Sequence, residues 1–222
     1  MESSSVQKQA ENAATRGDVA ALRQCFRDGA SPLDKKVNLR ALSRGDIELF
    51  QVIVDAGGDV NLNMGYVGTP LISALQRKRD AFLEFLFSRS VDPNVGSLGH
   101  HLPPISVAVR FNRTTRWVQT LLERGATLSN TGALHIAAFL GQVDQMELLL
   151  RFGADPNEIP RPQPIAIVDY RREGTAMHWA IAGGHLEAIQ LLLAQNPDLD
   201  ALDADGISVQ TRLDQFWTAK RY

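Results

Sequence analysis

The stretch GTAMHWAIAGGHLEAIQLLLAQNPDLD occupies residues 174–200 and decides how the rest of the chain is interpreted. It brings His178, Trp179 and His185 close together in sequence, and histidine is the side chain most often used in acid-base catalysis. The same run recurs in weaker form several times earlier in the chain. A repeat must therefore be considered first, because a missed period would mis-assign the whole fold.

A short motif marks the end of a first helix in each copy. It consists of a small residue, an apolar or small residue, two variable positions and, in most copies, glycine. The motif is followed by a second helical pattern, which ends in a stop signal such as Gly153-Ala154-Asp155-Pro156-Asn157. The copies begin at Ala13, Ala41, Ala74, Ala108, Ala137 and Ala180. The sequence therefore predicts an array of about six helix pairs.

The second helices carry apolar residues at helical spacing. In the last copy these are Leu186, Ile189, Leu192 and Leu193, and one copy earlier they are Val143, Met146, Leu149 and Leu150. We expect each set to form one buried stripe. A pair of helices this short cannot bury such a stripe alone, so neighbouring pairs must stack.

These parts resemble the ankyrin repeat, whose period is about 33 residues. The resemblance is carried by Thr69-Pro70-Leu71, Thr175-Ala176-Met177-His178, Gly184-His185, Leu148-Leu149-Leu150 and residues 153–157. It covers roughly residues 10–216. Because several motif parts recur in the same order, the resemblance is specific for the fold, although it names no ligand.

The resemblance implies an all-α ankyrin-repeat solenoid of antiparallel helix pairs with projecting hairpin or loop fingers. We expect one ankyrin-repeat domain over residues 10–216 in a stand-alone, divergent array, with a flexible N-terminus at residues 1–9 and a tail at residues 217–222. The first and last repeats would act as caps.

The histidines of the opening stretch are expected to be structural. In ankyrin repeats the first-helix histidine, here His135 and His178, hydrogen-bonds backbone of the adjacent repeat, and Thr175 braces the turn. Trp179 is expected to be a buried side chain rather than a ligand platform. We therefore assign no catalytic residue.

Composition limits the remaining possibilities. The 222 residues are 44% hydrophobic with a net charge of -2, which argues against dedicated nucleic-acid binding. No apolar run is long enough for a membrane span and the N-terminus lacks a signal peptide, so we expect a cytoplasmic or nuclear protein with no membrane association. The single cysteine, Cys25, fits a buried hydrophobic position. No motif for a cofactor, phosphate or metal is present.

Three irregular segments separate a second helix from the next first helix, where ankyrin repeats project their fingers. Residues 62–68 carry Tyr66 between glycines, where we expect it to be exposed, and residues 95–104 carry the adjacent pair His100 and His101. Residues 158–173 form the longest insertion. It begins with a proline-rich stretch and carries the residues Asp169, Tyr170, Arg171 and Arg172. Unusual loops are candidate binding elements, and a tolerated surface insertion remains the alternative.

Arginines recur at the end of the first helices, at positions that face the concave groove in ankyrin repeats. Down the chain the last of these positions holds Arg16, Arg44, Arg77, Phe111, Leu140 and Gly183, and its neighbour holds Arg110 and Phe139 in two repeats. Such a row suits acidic groups of a partner followed by an apolar anchor. A solvated charged face is the other interpretation.

Two functional hypotheses follow. The first is a non-catalytic, monomeric protein-protein interaction module that binds an acidic segment with an apolar anchor in its concave groove. The second is a small-molecule-binding protein or atypical enzyme, in which the 158–173 finger closes over the groove and Asp169, Tyr170, His100 and His101 supply acid-base groups. The lack of a recognisable catalytic constellation favours the first.

Overall fold

A computed structural model describes residues 2–96, 102–160 and 174–220 of the chain. Throughout these ranges regular structure is helical, and strand-like pairing is limited to one isolated bridge between Leu202 and Ser208. The predicted all-α fold is confirmed. The chain divides into two compact units, residues 1–99 and residues 100–222.

The first unit contains three helix pairs. They are α1 (Glu2–Arg16) with α2 (Val19–Arg27), α3 (Lys35–Arg44) with α4 (Ile47–Asp55), and α5 (Pro70–Gln76) with α6 (Asp80–Ser88). The helices of each pair pack against each other, α1 packs against α3, and α2 packs against α4. First helices therefore form one layer and second helices another, as stacked pairs require.

The second unit, described by itself, has the same arrangement of stacked helix pairs. Its helices are α7 (Pro104–Phe111), α8 (Arg116–Glu123), α9 (Ala133–Phe139), α10 (Val143–Arg151), α11 (Ala176–Gly183), α12 (Leu186–Leu193) and α13 (Val209–Ala219). The first helices α7, α9, α11 and α13 pack in succession, and α10 packs against α12. Helix α13 takes the place of a further first helix.

The observed bounds of the first and last helices differ from the bounds expected for the flexible N-terminus and the C-terminal tail. Helix α1 begins at Glu2, so residues 2–9 are helical rather than a flexible N-terminus. Helix α13 continues to Ala219, into the segment expected to be a tail. Both helices pack on a neighbouring first helix, which stabilises turns that are too polar to be recognised as core from sequence.

The predicted apolar stripes are partly wrong. Ile189 and Leu192 are buried, but Leu186 and Leu193 are 37% and 40% exposed. Helix α12 packs on α10 and α11, whereas in the described residues no second helix follows α13 to cover the other side of α12. In α10, Leu148 is buried in place of Leu150.

The turns after the second helices are joined from repeat to repeat by asparagine. In the first unit the Asp92 N–H donates to Asn61 Oδ1 at 2.9 Å, and in the second the Asp198 N–H donates to Asn157 Oδ1 at 2.8 Å. Each asparagine belongs to the stop signal of the preceding repeat. The recurrent asparagine thus satisfies a backbone donor that would otherwise have no partner in the repeat itself.

Helix α3 also contains a fully buried polar side chain. Asn38 Nδ2 donates to the Pro32 carbonyl at 2.8 Å and to the Asp34 carbonyl at 2.9 Å, so it ties the start of α3 to the preceding turn. Polar groups are retained in a core when they satisfy backbone in this way. The apolar periodicity of the sequence does not predict this role.

We expect Asn38→Ala to lower the free energy of unfolding by about 1–3 kcal/mol, because two carbonyl groups lose a buried donor. Urea denaturation followed by circular dichroism measures the change. Asn12→Ala, on the exposed side of α1, is the control and should change stability by less than about 0.5 kcal/mol. Equal effects of the two substitutions would contradict the role assigned to Asn38.

Candidate functional site

Three arginines of the first unit occupy equivalent places at the ends of its first helices. Arg16 is the last residue of α1, Arg44 is the last residue of α3, and Arg77 is the C-cap of α5. All three side chains are exposed. The repeat alignment made from sequence therefore agrees with the helix bounds in this unit.

Arg44 also contacts the preceding repeat. Its Nη1 donates to the Thr15 carbonyl at 3.2 Å, at the carboxyl end of α1. A Cβ placed on Gly17 would lie 2.5 Å from a guanidinium nitrogen of Arg44, and Gly17 has φ +77°. Glycine is required there both for the left-handed backbone and for the space that the guanidinium occupies.

Arg79 makes the corresponding contact one repeat later, and sequence reasoning missed it. Its guanidinium donates to the Leu42 carbonyl and, at 3.0 Å, to the Ser43 carbonyl at the end of α3. The glycine that ends α3, Gly45, leaves space for it. Burial lowers the pKa of Arg79, and the nearby positive charge of Arg77 acts in the same direction. Arg79 therefore has a structural role, in contrast to the exposed Arg77.

The last repeat uses an imidazole at the position of Arg79. His185 is the N-cap of α12, as Arg79 is the N-cap of α6, and a Cβ on Gly141 would lie 2.5 Å from His185 Nδ1. The signal available in sequence was the glycine between the helices. At Gly17, Gly45 and Gly141 the glycine leaves space for a side chain of the following repeat, whereas no side chain lies close to Gly184.

The ends of α7 and α9, in the second unit, are more apolar. The Arg110 guanidinium lies 5.3 Å from the centre of the Phe111 ring, and burial lowers the pKa of Arg110. The half-buried Phe139 makes an edge-to-face contact with Trp179 at 6.2 Å, and Leu140 is exposed. These residues present apolar surface together with one stacked cation.

The first finger is compact and has an aromatic tip. The Met64 N–H donates to the Gly68 carbonyl at 3.0 Å around a short 3-10 turn over Gly65–Val67. Asn63 Nδ2 donates to the Gly96 carbonyl in the next finger at 3.2 Å. Tyr66 is 91% exposed at the tip, which agrees with its expected accessibility.

The other predicted loop residues lie outside the described part of the chain. They are His100, His101, Asp169, Tyr170, Arg171 and Arg172. Their predicted roles in partner binding therefore stay predictions. The same holds for the acid-base groups of the enzyme hypothesis, all of which belong to this set.

Comparison with known proteins agrees with this arrangement of helix pairs. Residues 134–193 match a family model described as ankyrin repeats (many copies). The structure resembles the ankyrin repeat domain of Bcl-3, a member of the IkappaB family, with a TM-score of 0.70, 19% identity and 92% of both chains covered. It also resembles the human ASB11 ankyrin repeat domain, with a TM-score of 0.64, 21% identity, and 91% and 90% of the two chains covered.

The chain has the ankyrin repeat fold. Among curated relatives, it is 26% identical to human transient receptor potential cation channel subfamily A member 1. The aligned region has 170 residues and covers 73% of this chain. It is 41% identical over 74 residues, or 33% of this chain, to the phosphate system positive regulatory protein PHO81 of Saccharomyces cerevisiae. The chain spans only 15% and 6% of these two relatives.

The first-helix histidines of this ankyrin fold hold neighbouring segments together, as predicted. His135 Nε2 donates to the Glu158 carbonyl at 2.9 Å. His178 Nδ1 accepts from the Thr175 N–H at 3.2 Å, which leaves Nε2 to donate to the Ile207 carbonyl at 3.3 Å. Trp179 is buried beside His135, with ring centres 5.8 Å apart.

The titration of these groups also fits structural roles. Burial lowers the pKa of His135 to about 4 and lowers the pKa of His178, so both imidazoles are neutral at pH 7. Burial raises the pKa of the Cys25 thiol, which keeps it protonated and weakly nucleophilic.

Across the described ranges, no group of three metal-ligating side chains comes together, and no helix is both long and apolar enough to cross a membrane.

We expect His135→Ala and His178→Ala each to lower the free energy of unfolding by about 1–3 kcal/mol, because a buried carbonyl loses its donor. Urea denaturation measures the loss, and partner binding is measured below the unfolding transition. A variant that kept wild-type stability while losing binding or turnover would overturn the structural assignment.

The low pKa of His135 should make stability depend on pH. The unfolded imidazole, with a pKa of about 6.5, binds a proton more readily than the folded one, so stability is lost as pH falls from about 6.5 towards 4. Between pH 7 and pH 5 this loss should be about 2 kcal/mol. His135→Gln keeps an N–H donor without titrating, so its loss over the same interval should be smaller by that amount. Parallel pH curves of urea unfolding for the two proteins would contradict the assignment.

Proposed function

We propose that this ankyrin repeat protein binds a partner protein through the ends of its first helices. Arg16, Arg44 and Arg77 in the first unit hold acidic groups of the partner. In the second unit, Phe111, Phe139 and Leu140 receive an apolar side chain beside Arg110. Ankyrin repeat domains generally mediate protein-protein interactions, and this proposal names the chemistry of the partner for this chain.

The observation that carries the proposal is the charge left unneutralised on the first unit. In residues 2–96, no carboxylate forms an ion pair with Arg16, Arg44 or Arg77, and all three are exposed. Asp18 and Asp46 lie in the adjoining turns, but each accepts a backbone N–H at the start of its second helix. The guanidinium groups are therefore available to an acidic ligand.

The spacing of the arginines supports several contacts with one partner. Successive packed helices lie about 10 Å apart, so the three guanidinium groups form a row across the repeats. A single exposed ion pair contributes only about 0.2–1 kcal/mol, whereas several contacts aligned on one ligand add. Arg44 donates one N–H to α1 and keeps its remaining donors for a carboxylate.

The apolar surface of the second unit supports an anchor. Phe139 is half-buried and held edge-to-face by Trp179, which fixes the ring without covering it completely. Arg110 stacks on Phe111 at 5.3 Å and presents a cation beside the apolar surface. Aromatic and arginine side chains of this kind are enriched among the residues that dominate binding energy.

We expect simultaneous replacement of Arg16, Arg44 and Arg77 by Glu to weaken partner binding by at least about tenfold, because the partner's acidic groups would then face carboxylates. The loss should appear as slower association with a weaker dependence on salt, since salt screens long-range attraction. Affinity capture from native extract supplies the partner, and surface plasmon resonance at several salt concentrations measures the rates.

The matched control replaces Arg23, Arg27 and Arg151 by Glu. These arginines are exposed on second helices and the change in net charge is the same. Because Arg44 also supports the end of α1, its replacement could destabilise the fold. Melting curves for both variants therefore verify that they are folded. Unchanged affinity and salt dependence in the first-helix variant, or an equal loss in the control, would refute the proposal.

A further inference from the structure

A second line of cations follows the length of α3. Lys36, Arg40 and Arg44 recur at intervals of four residues, which places them on one face of the helix, and all three are exposed. The helix sequence KKVNLRALSR contains no acidic residue. The rise of about 1.5 Å per residue sets successive members about 6 Å apart along the axis.

Contacts place this line beside the seam between α3 and α1. Lys36 Nζ lies 3.7 Å from Glu11 Oε1, and Arg44 Nη1 donates to the Thr15 carbonyl, so both ends of the line reach α1. Arg40 lies between them and forms no ion pair with any carboxylate in the described part of the chain. The packing of α1 against α3 holds the line on a continuous surface, which we term the α1–α3 face.

The α1–α3 face has an excess of positive charge. Glu11, the acidic residue of α1 beside the Lys36 end of the line, is already paired with Lys8 at 2.9 Å as well as with Lys36. Hydrogen bonding from Lys8 lowers the pKa of Glu11, which keeps the pairing charged near neutral pH. Arg40 and Arg44 thus remain as cations without a compensating carboxylate on this face.

The spacing along α3 matches an extended peptide. In an extended chain, alternate side chains lie on the same face and are about 6.6–7 Å apart, close to the spacing of Lys36, Arg40 and Arg44. The row of Arg16, Arg44 and Arg77 across the repeats has a spacing of about 10 Å, which corresponds to every third residue of a segment in the polyproline II conformation, where three residues make one turn of about 9.3 Å. The two directions therefore require different spacings of acidic residues in the partner.

We propose that the α1–α3 face binds an extended acidic segment with Asp or Glu at every second position, laid along α3 on Lys36, Arg40 and Arg44. This inference rests on the proposed binding of an acidic partner and adds the direction and the sequence pattern of the bound segment. Arg40 is then a residue that determines specificity, although it lies outside the row across the repeats.

The composition of the face favours a peptide over a single-stranded nucleic acid. Neither α1 nor α3 contains an aromatic residue. Proteins that bind single strands combine basic grooves with aromatic side chains on which the bases stack. Carboxylates of a peptide need only the cations that this face supplies.

The test compares two labelled peptides of equal length with the same number of glutamates, one with glutamate at every second position and one with glutamate at every third position, in a serine background. Fluorescence anisotropy at low salt measures their affinities for the full chain. We expect the peptide with alternate glutamates to bind about tenfold tighter, because the other peptide loses about two ion pairs on α3.

Substitutions identify the surface that is used. Arg40→Glu should weaken binding of the alternate peptide by about tenfold and Arg40→Gln by less, whereas the control Arg23→Glu, on α2, should have a small effect. Arg40 is exposed on α3, and circular dichroism melts verify that the variants fold. If Arg40→Glu perturbs the helix, the affinity of Arg40→Gln for the alternate peptide is compared with that of the wild-type protein instead.

Three other results would overturn the inference. Tighter binding of the peptide with glutamate at every third position, weakened by Arg77→Glu, would show a segment crossing the repeats and would leave the proposed function intact. If neither peptide bound better than an all-serine peptide, acidic peptides would be excluded from the face, and the captured partner would test the proposed function separately. Tighter binding of a single-stranded oligonucleotide, weakened by Arg40→Glu, would assign the face to nucleic acid.

Discussion

Each helix pair of this protein can bury its apolar side only against the next pair, and this constraint governs the other features of the structure. Helices of seven to fifteen residues are too short to be stable alone in water. Stacking supplies the missing burial, and it brings the ends of α1, α3 and α9 against side chains of the following repeat. The exposed carbonyl groups at those ends must then be satisfied across the repeat boundary.

Arginine side chains meet this requirement at two repeat boundaries, and a histidine lies close to the helix end at a third. Arg44 reaches α1, Arg79 reaches α3, and His185 lies across the glycine after α9. A positive charge at the carboxyl end of a helix is also favoured by the helix dipole. The high arginine content near the helix ends therefore has a structural origin in part, and the cations beyond those needed for capping are the ones available for a ligand.

Side chains with a structural role can be distinguished from side chains available for binding by whether they are committed to a backbone group. His135 and His178 have the residue type of catalysts, yet each is buried, neutral and committed to a backbone carbonyl. Arg40 and Arg77 have no comparable commitment in the described part of the chain and are exposed. A partner that brings acidic groups would meet charge on the first-helix surface and apolar rings at Phe111 and Phe139, which is the combination that we propose for binding.

Much of the fold could be predicted from the sequence because the repeat is a local signal. The motif that ends each first helix, the glycine after it and the apolar spacing of the second helix all lie within one period, so they identify the ankyrin fold and the structural class of His135 and His178 without coordinates. The same alignment placed Arg16, Arg44 and Arg77 at equivalent helix ends. The exposure of Tyr66 followed from its position between glycines.

Only the tertiary structure decided which partners these side chains meet. Arg79 contacts carbonyls 36 and 37 positions earlier, and Lys36 meets Glu11 on a neighbouring helix, so no local pattern reveals either contact. Leu186 and Leu193 have the spacing of core residues but are exposed, because burial depends on whether another helix covers them. The sequence by itself determined the repeating unit, since helix and turn signals are local. The stacking of the units determined which cations cap a helix and which remain on the surface, since those contacts join residues far apart in the chain.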